Sequence, residues 1–256
     1  MRGHTGDPKN DIHSAVKVRY SMSCKQAIRE QVWTCLEEAG VARFPFPVAD
    51  RIPNFAGASD AADRVRALSA WADADAVKAN PDYAQFPVRV TALEDDKDVY
   101  VAVPRLADEQ CFVYLEGSEI DEAGDAATLS GIDEHGTPVL PSALPTIDLI
   151  VVGSVAVTTD GARIGKGEGY SDLEYAILRE FERIDSDTPV VTTVHDHQVV
   201  DPTWEPDPHD VPIDWILTPE RSIDTDTPFD APTGIEWSLL SEKQRDQMPV
   251  LDRLAS

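Results

Sequence analysis

Four glycines fall within nine residues of the segment GARIGKGEGYSD, at Gly161, Gly165, Gly167 and Gly169, with Arg163 and Lys166 between them. Glycine lets a backbone turn sharply and bring its N–H groups close to a ligand. A helical pattern starts directly afterwards, and a helix N-terminus adds unpaired donors and partial positive charge. Two cations, free amides and a helix end make an anion cradle, most naturally for phosphates. The segment is not a Walker A loop, because no Lys-Ser or Lys-Thr pair closes it, and it is not GxGxxG. A glycine-rich turn without a ligand is the plainer alternative. Asp172 opens the same helix. It either caps that helix and meets its dipole or, beside bound phosphates, holds Mg²⁺ directly or through water. Lys25 and Arg29 are four apart in another helical pattern, so they share a face. They are either a solvated face or two further cations for the same anion.

The rest of the charge makes these cations informative. The chain holds 47 acidic and 22 basic residues and a formal charge of −25. Of these, 30 are Asp, 17 Glu, 15 Arg and only 7 Lys. Such a charge repels phosphate backbones, so general binding to nucleic acid or to an anionic membrane is not expected. The acid is spread over the whole sequence. That favours a surface adapted to molar salt, a halophile's, over an acidic tail. The longest apolar run, IDLIVVGSVAV, is too short to span a bilayer. No charged-then-apolar signal opens the chain. Cys24, Cys35 and Cys111 are odd in number and show no close pairs. Reduced thiols and a cytoplasmic protein are expected.

The elements that must position these residues follow from periodicity. Ala27, Ile28, Val32, Cys35, Leu36 and Ala39 recur at helical spacing over 24–39, and Gly40 supplies the stop. Residues 44–55 carry three prolines and cannot be regular helix. A second helix runs from Ser59 or Asp60 to about Trp71. Strands are expected at Val77, 88–93 and 99–103; 111–115 is another short apolar run, and 116–146 is a loop-rich acidic stretch. Residues 147–152 form a continuous β-branched run of the buried-strand type. A helix over 171–184 and strands over 190–194 and 215–217 follow. Strands alternating with helices predict an α/β fold with a mostly parallel sheet covered on both faces. The expected organisation is a flexible arm over 1–21, one α/β domain over 22–221, and an appended acidic segment over 222–256. His195 and His197 on a strand would face one side, but two ligands without a third make a weak zinc site; a polar strand end is the plainer reading. Asn80-Pro81-Asp82 reads as a turn. Trp33 and Trp71 read as core.

Lys25-x-x-x-Arg29, the strand over 148–153 and Gly161-x-Arg163-x-Gly165-Lys166-Gly167-x-Gly169-Tyr170-x-Asp172 together resemble the 5-formyltetrahydrofolate cyclo-ligase (methenyltetrahydrofolate synthetase) family. That family carries Lys and Arg on its first helix and a G-x-R-x-G-x-G-x-G-Y-Y-D loop. VYVAVPRL (99–106), HDHQVV (195–200) and DWILTPE (214–220) are also similar to it. IPNF (52–55) and VKANPD (77–82) look closer to its cyclo-ligase-domain-containing paralogues. The likeness spans about 24–221.

The resemblance implies a three-layer α/β/α fold similar to sugar-phosphate isomerases and coenzyme A transferases. It also implies ATP, Mg²⁺ and a small-molecule substrate, 5-formyltetrahydrofolate or a related pterin, in a monomer or homodimer. The formyl oxygen would take the γ-phosphoryl group, and N10 would then close the ring to 5,10-methenyltetrahydrofolate. By position, Lys25, Arg29, Arg163 and Lys166 would hold phosphates. Gly165, Gly167 and Gly169 would let the loop approach, and Tyr170 would border folate and ATP. Asp172 would bind Mg²⁺. Arg163, Lys166 and Tyr170 would carry the chemistry, with VKANPD near the folate. Ser171 replaces the family's second Tyr, and Glu168 stands where Lys or Gly is frequent. A nucleotide- or folate-binding paralogue without the activity is therefore the alternative, and a phosphorylated-metabolite isomerase or transferase a third.

Overall fold

The computed structural model describes residues 25–202 and 204–254. The expected arm over 1–21 and Cys24 lie outside them. The helices are α1 (Lys25–Glu38), α2 (Ala58–Asp63), α3 (Ser69–Asp73), α4 (Phe86–Glu94), α5 (Ala123–Ala126), α6 (Leu129–His135), α7 (Tyr170–Glu180), α8 (Glu242–Gln247) and α9 (Pro249–Leu254). The strands are β1 (Ala42–Arg43), β2 (Asn54–Phe55), β3 (Ala76–Ala79), β4 (Asp98–Ala102), β5 (Phe112–Leu115), β6 (Thr137–Val139), β7 (Leu149–Val152), β8 (Ala156–Val157), β9 (Arg163–Ile164), β10 (Val190–Thr193), β11 (Trp215–Leu217) and β12 (Ser222–Asp224).

Eight strands form one sheet in the order β12-β11-β10-β7-β3-β4-β5-β6. The five from β11 to β4 run parallel, and antiparallel pairs finish both edges. Strand β7 shows why helices must cover both faces. Its side chains alternate: Leu149 and Val151 pack with α4, while Ile150 and Val152 pack with α7. The expected α/β architecture is the observed one.

Three expectations change. Residues 88–93 are not a strand but most of α4. This helix is buried nearly all round, at Val88, Arg89, Thr91, Ala92 and Leu93. Such a helix has no polar face, so its sequence reads like a buried strand. The second helix is broken into α2, a 3₁₀ turn over Arg64–Ala67 and α3, because Leu68 is extended. The segment from Ser222 onward is integrated: β12 pairs with β11, and Ile235, Leu240, Met248, Val250 and Leu251 join the core under α7.

The first helix does not pack on the large sheet. Ile28, Val32, Trp33 and Leu36 meet Phe55, Val155, Ala156 and Ile164 in a smaller core. That core docks α1 against the β8–β9 hairpin, where the glycine-rich segment begins.

Candidate functional site

Strands β3 and β7 are neighbours, but the chain leaves them in opposite directions: β3 leads through α4 to β4, and β7 leads through α7 to β10. Ligands of open parallel sheets bind where such connections diverge, beyond the carboxyl ends. Asn80 ends β3 here, and Gly153 and Ser154 end β7. The β8–β9 hairpin, paired Ala156 to Ile164 and Val157 to Arg163, then folds the glycine-rich segment back over this crevice.

Two guanidinium groups lie against two of its glycines. A Cβ on Gly165 would sit 3.1 Å from Nη1 of Arg163, and one on Gly167 would sit 3.2 Å from Cζ of Arg29. Gly167 also has φ +106°, a conformation that L side chains rarely adopt. Arg29 donates from Nε to the Gly165 carbonyl at 2.7 Å. Arg163 is 4% exposed. Its Nη1 donates to the Gly153 carbonyl at 3.0 Å and its Nη2 to Oδ1 of Asp172 at 2.5 Å. Its Nε is buried without a partner. The same Oδ1 of Asp172 accepts from the Val211 amide at 3.1 Å. Helix α7 starts after Gly169, which has φ +73°, and no side chain caps it. Its first amides are thus left to a ligand or to water.

The other two expected cations are differently engaged. Lys25 donates to Asp207 at 2.7 Å and to Asp210 at 2.5 Å. Burial lowers its pKa, but those two bonds outweigh it and the net shift is upward. Lys166 lies at the rim and pairs with Glu168 at 2.6 Å. Both side chains are over a third exposed, so that pair is weak and easily exchanged.

Beside the loop is a cleft of about 330 Å³, lined among others by Asn80, Asp82, Arg105, Lys166, Tyr170 and Glu174. Its size falls at the lower end for small-molecule sites. Burial pushes the Asp82 carboxyl up; Lys166 pulls it down and Glu174 adds to the rise. The floor is a polar network that the sequence did not disclose. Lys78, 1% exposed, is ion-paired with Glu174. Asn80 donates to Glu174 at 3.0 Å and to Ser171 at 3.2 Å, and accepts from the Gly153 amide at 3.2 Å. Behind it, buried Arg89 donates to the carbonyls of Asn80 (2.5 Å), Asp82 (3.1 Å) and Ala127 (3.0 Å). One signal was available: a scarce lysine inside the apolar run of β3.

The remaining candidates fall elsewhere. His195 precedes a 3₁₀ turn, Asp196–Gln198, and His197 lies within it, so neither is on a strand. Nδ1 of His195 accepts from the His197 amide at 3.2 Å, so it caps that turn. Burial and the neighbouring His197 lower its pKa. Trp33 and Trp71 are core. A larger cavity of about 720 Å³ lies by β5 and β6, around Glu109, Gln110 and Arg253, and includes no residue of the glycine segment.

Fold and site together define a doubly wound α/β protein with a glycine-rich, arginine-backed loop at the divergence of its central strands. The chain belongs to the 5-formyltetrahydrofolate cyclo-ligase family, whose model matches residues 21–219. It is 44% identical over 233 residues to the methenyltetrahydrofolate synthase domain-containing protein of Bos taurus, covering 90% of this chain and 61% of that one. The Homo sapiens protein of that name is 40% identical with the same coverage. The chain thus spans about three fifths of the length of these relatives. A 5-formyltetrahydrofolate cyclo-ligase of Mycolicibacterium smegmatis is 33% identical over 94 residues, 36% of this chain and 45% of that one. The fold is shared with 5,10-methenyltetrahydrofolate synthetase of Aquifex aeolicus, solved by NMR: TM-score 0.51 at 16% identity, covering 80% of this chain and 94% of that chain.

Proposed function

We propose that this chain is an ATP-dependent 5-formyltetrahydrofolate cyclo-ligase. The formyl oxygen takes the γ-phosphoryl group and ADP leaves. N10 attacks the activated carbon and loses its proton, and phosphate departs with the former formyl oxygen. The product is 5,10-methenyltetrahydrofolate. The supporting observation is the packing of Arg29 and Arg163 on Gly167 and Gly165, beside the uncapped start of α7. In a molecule that otherwise repels anions, this cradle stabilises transferring phosphoryl charge with preorganised donors. Lys166, loosely paired at the rim, is free to turn to the transferred group. Tyr170 walls the cleft next to the cradle and orients the reacting ring. The donor set also fits a divalent cation: both bonds to Asp172 fall on Oδ1, and Oδ2 takes none among the described residues. Mg²⁺ held there, directly or through water, would neutralise part of the triphosphate charge.

One observation favours a second reading, a nucleotide- or folate-binding paralogue without turnover. Lys25, expected on phosphate, is held by Asp207 and Asp210. One assay separates the two. Protein, Mg·ATP and 5-formyltetrahydrofolate in molar KCl should give methenyl absorbance and ADP. Nucleotide binding without product selects the paralogue. We place the protein in the cytoplasm of a salt-rich cell, as a monomer or a homodimer. Cys35 and Cys111 are free thiols, which suits a reducing compartment.

A further inference from the structure

Glu174 lies four residues after Tyr170 on α7, so both face the cleft. A buried carboxylate is costly unless a partner holds it ionised. Lys78 supplies that partner from β3, and Asn80 adds a second donor. Both contacts fall on Oε2. Oε1 takes no donor among the described residues, and Glu174 lines the cleft. The result is an acceptor that its ion pair fixes from behind and that opens to the cleft in front. Asp82 and Glu168 line the same cleft against Arg105 and Lys166, so its other charges balance and a bare phosphate or carboxylate gains no net attraction there. Lys78 already balances the charge of Glu174, so the complement need not be a cation. It must be a neutral edge rich in N–H donors.

Resting on the folate reading above, we propose that Glu174 is a specificity-determining residue. Its carboxylate accepts from the ring N–H and exocyclic amino group of a 2-amino-4-oxopteridine seated beside Tyr170. Leaving that acceptor unpaired costs a ligand about tenfold in affinity or more.

The test is equilibrium binding to the full chain in molar KCl, followed by pteridine fluorescence. The probes are 2-amino-4-oxopteridine and 2,4-dioxopteridine, which lacks the amino group, with Mg·ATP measured alongside. The native protein should prefer the amino compound by about tenfold or more. Glu174→Gln should bring the two within about twofold and leave ATP affinity unchanged. The double variant Lys78→Met/Glu174→Leu, an apolar replacement of the buried pair, guards against misfolding. It too should keep ATP and lose the preference. Equal binding of both probes by the native protein, no binding of either, or a preference retained by Glu174→Gln would overturn the proposal. A failed cyclo-ligase assay with the preference intact would remove the proposed reaction and leave this assignment standing. Turnover that is insensitive to Glu174 would do the reverse.

Discussion

Arg29 and Arg163 hold their places because two loop residues have no side chain. Adding a methyl at Gly167 forces an L residue into positive φ and pushes on the Arg29 guanidinium at 3.2 Å. We expect Gly167→Ala to weaken Mg·ATP binding about tenfold, from roughly 1–2 kcal/mol of strain, with the fold intact. Calorimetry beside a circular dichroism spectrum checks it, and native affinity would reject the cradle. Arg163→Ala removes the donor shared by Asp172 and the Gly153 carbonyl. It should cut turnover roughly 10²–10³-fold, the scale of a lost preorganised donor. Asp172→Asn should also impair turnover strongly. Full activity in either variant would show that the chemistry lies elsewhere. The loop was legible because its signal is local: glycines, cations and a helix start within twelve positions. The Lys78–Glu174 pair was not, since its members are 96 residues apart and meet only after β3 and α7 pack.

Elements were legible where period and punctuation agreed. The β-branched run before Gly153 is β7, and the helical spacing after Cys24 is α1. Helix α4 was lost because burial on all sides erases its period. The docking of α1 carries a pH dependence. The hydrogen bond from Lys25 holds the Asp207 carboxyl below its usual range, outweighing burial. A depressed carboxylate stabilises the fold above the unfolded pKa of about 3.9, and this stability is lost as pH falls through the native value. Amide exchange over Lys25–Glu38 should therefore quicken as pH falls below about 4. Asp207→Asn/Asp210→Asn should flatten that change; an unaltered profile would free α1 from this anchor. His195 shifts downward as well, so protonation opposes its cap. Stability should decline as pH drops below about 6.5, the unfolded value, and His195→Gln should remove that slope in a urea titration.

At the scale of the whole molecule, the expected boundary at residue 221 divides two hydrogen-bonded strands, β11 and β12. Proline and acid suggested an appendage, but five apolar residues scattered through that segment complete the core. Burying five such side chains is worth about 7–15 kcal/mol, comparable with a domain's entire net stability. A chain ending at residue 221 should not fold cooperatively; a sharp melting transition would contradict this. The charge of −25 predicts a melting temperature that rises toward molar KCl as self-repulsion is screened. A falling one would reject salt adaptation.

Arg89 has a consequence that reaches beyond its burial. It grips the backbone on both sides of Pro81 from the far face of the sheet, so one bank of the cleft stands ready before anything arrives. An incoming molecule need not organise that ledge, and little of its affinity is lost to ordering. Ligand preference is then a matter of which side chains decorate a rigid shelf, and it can change without disturbing the phosphate cradle proposed next door.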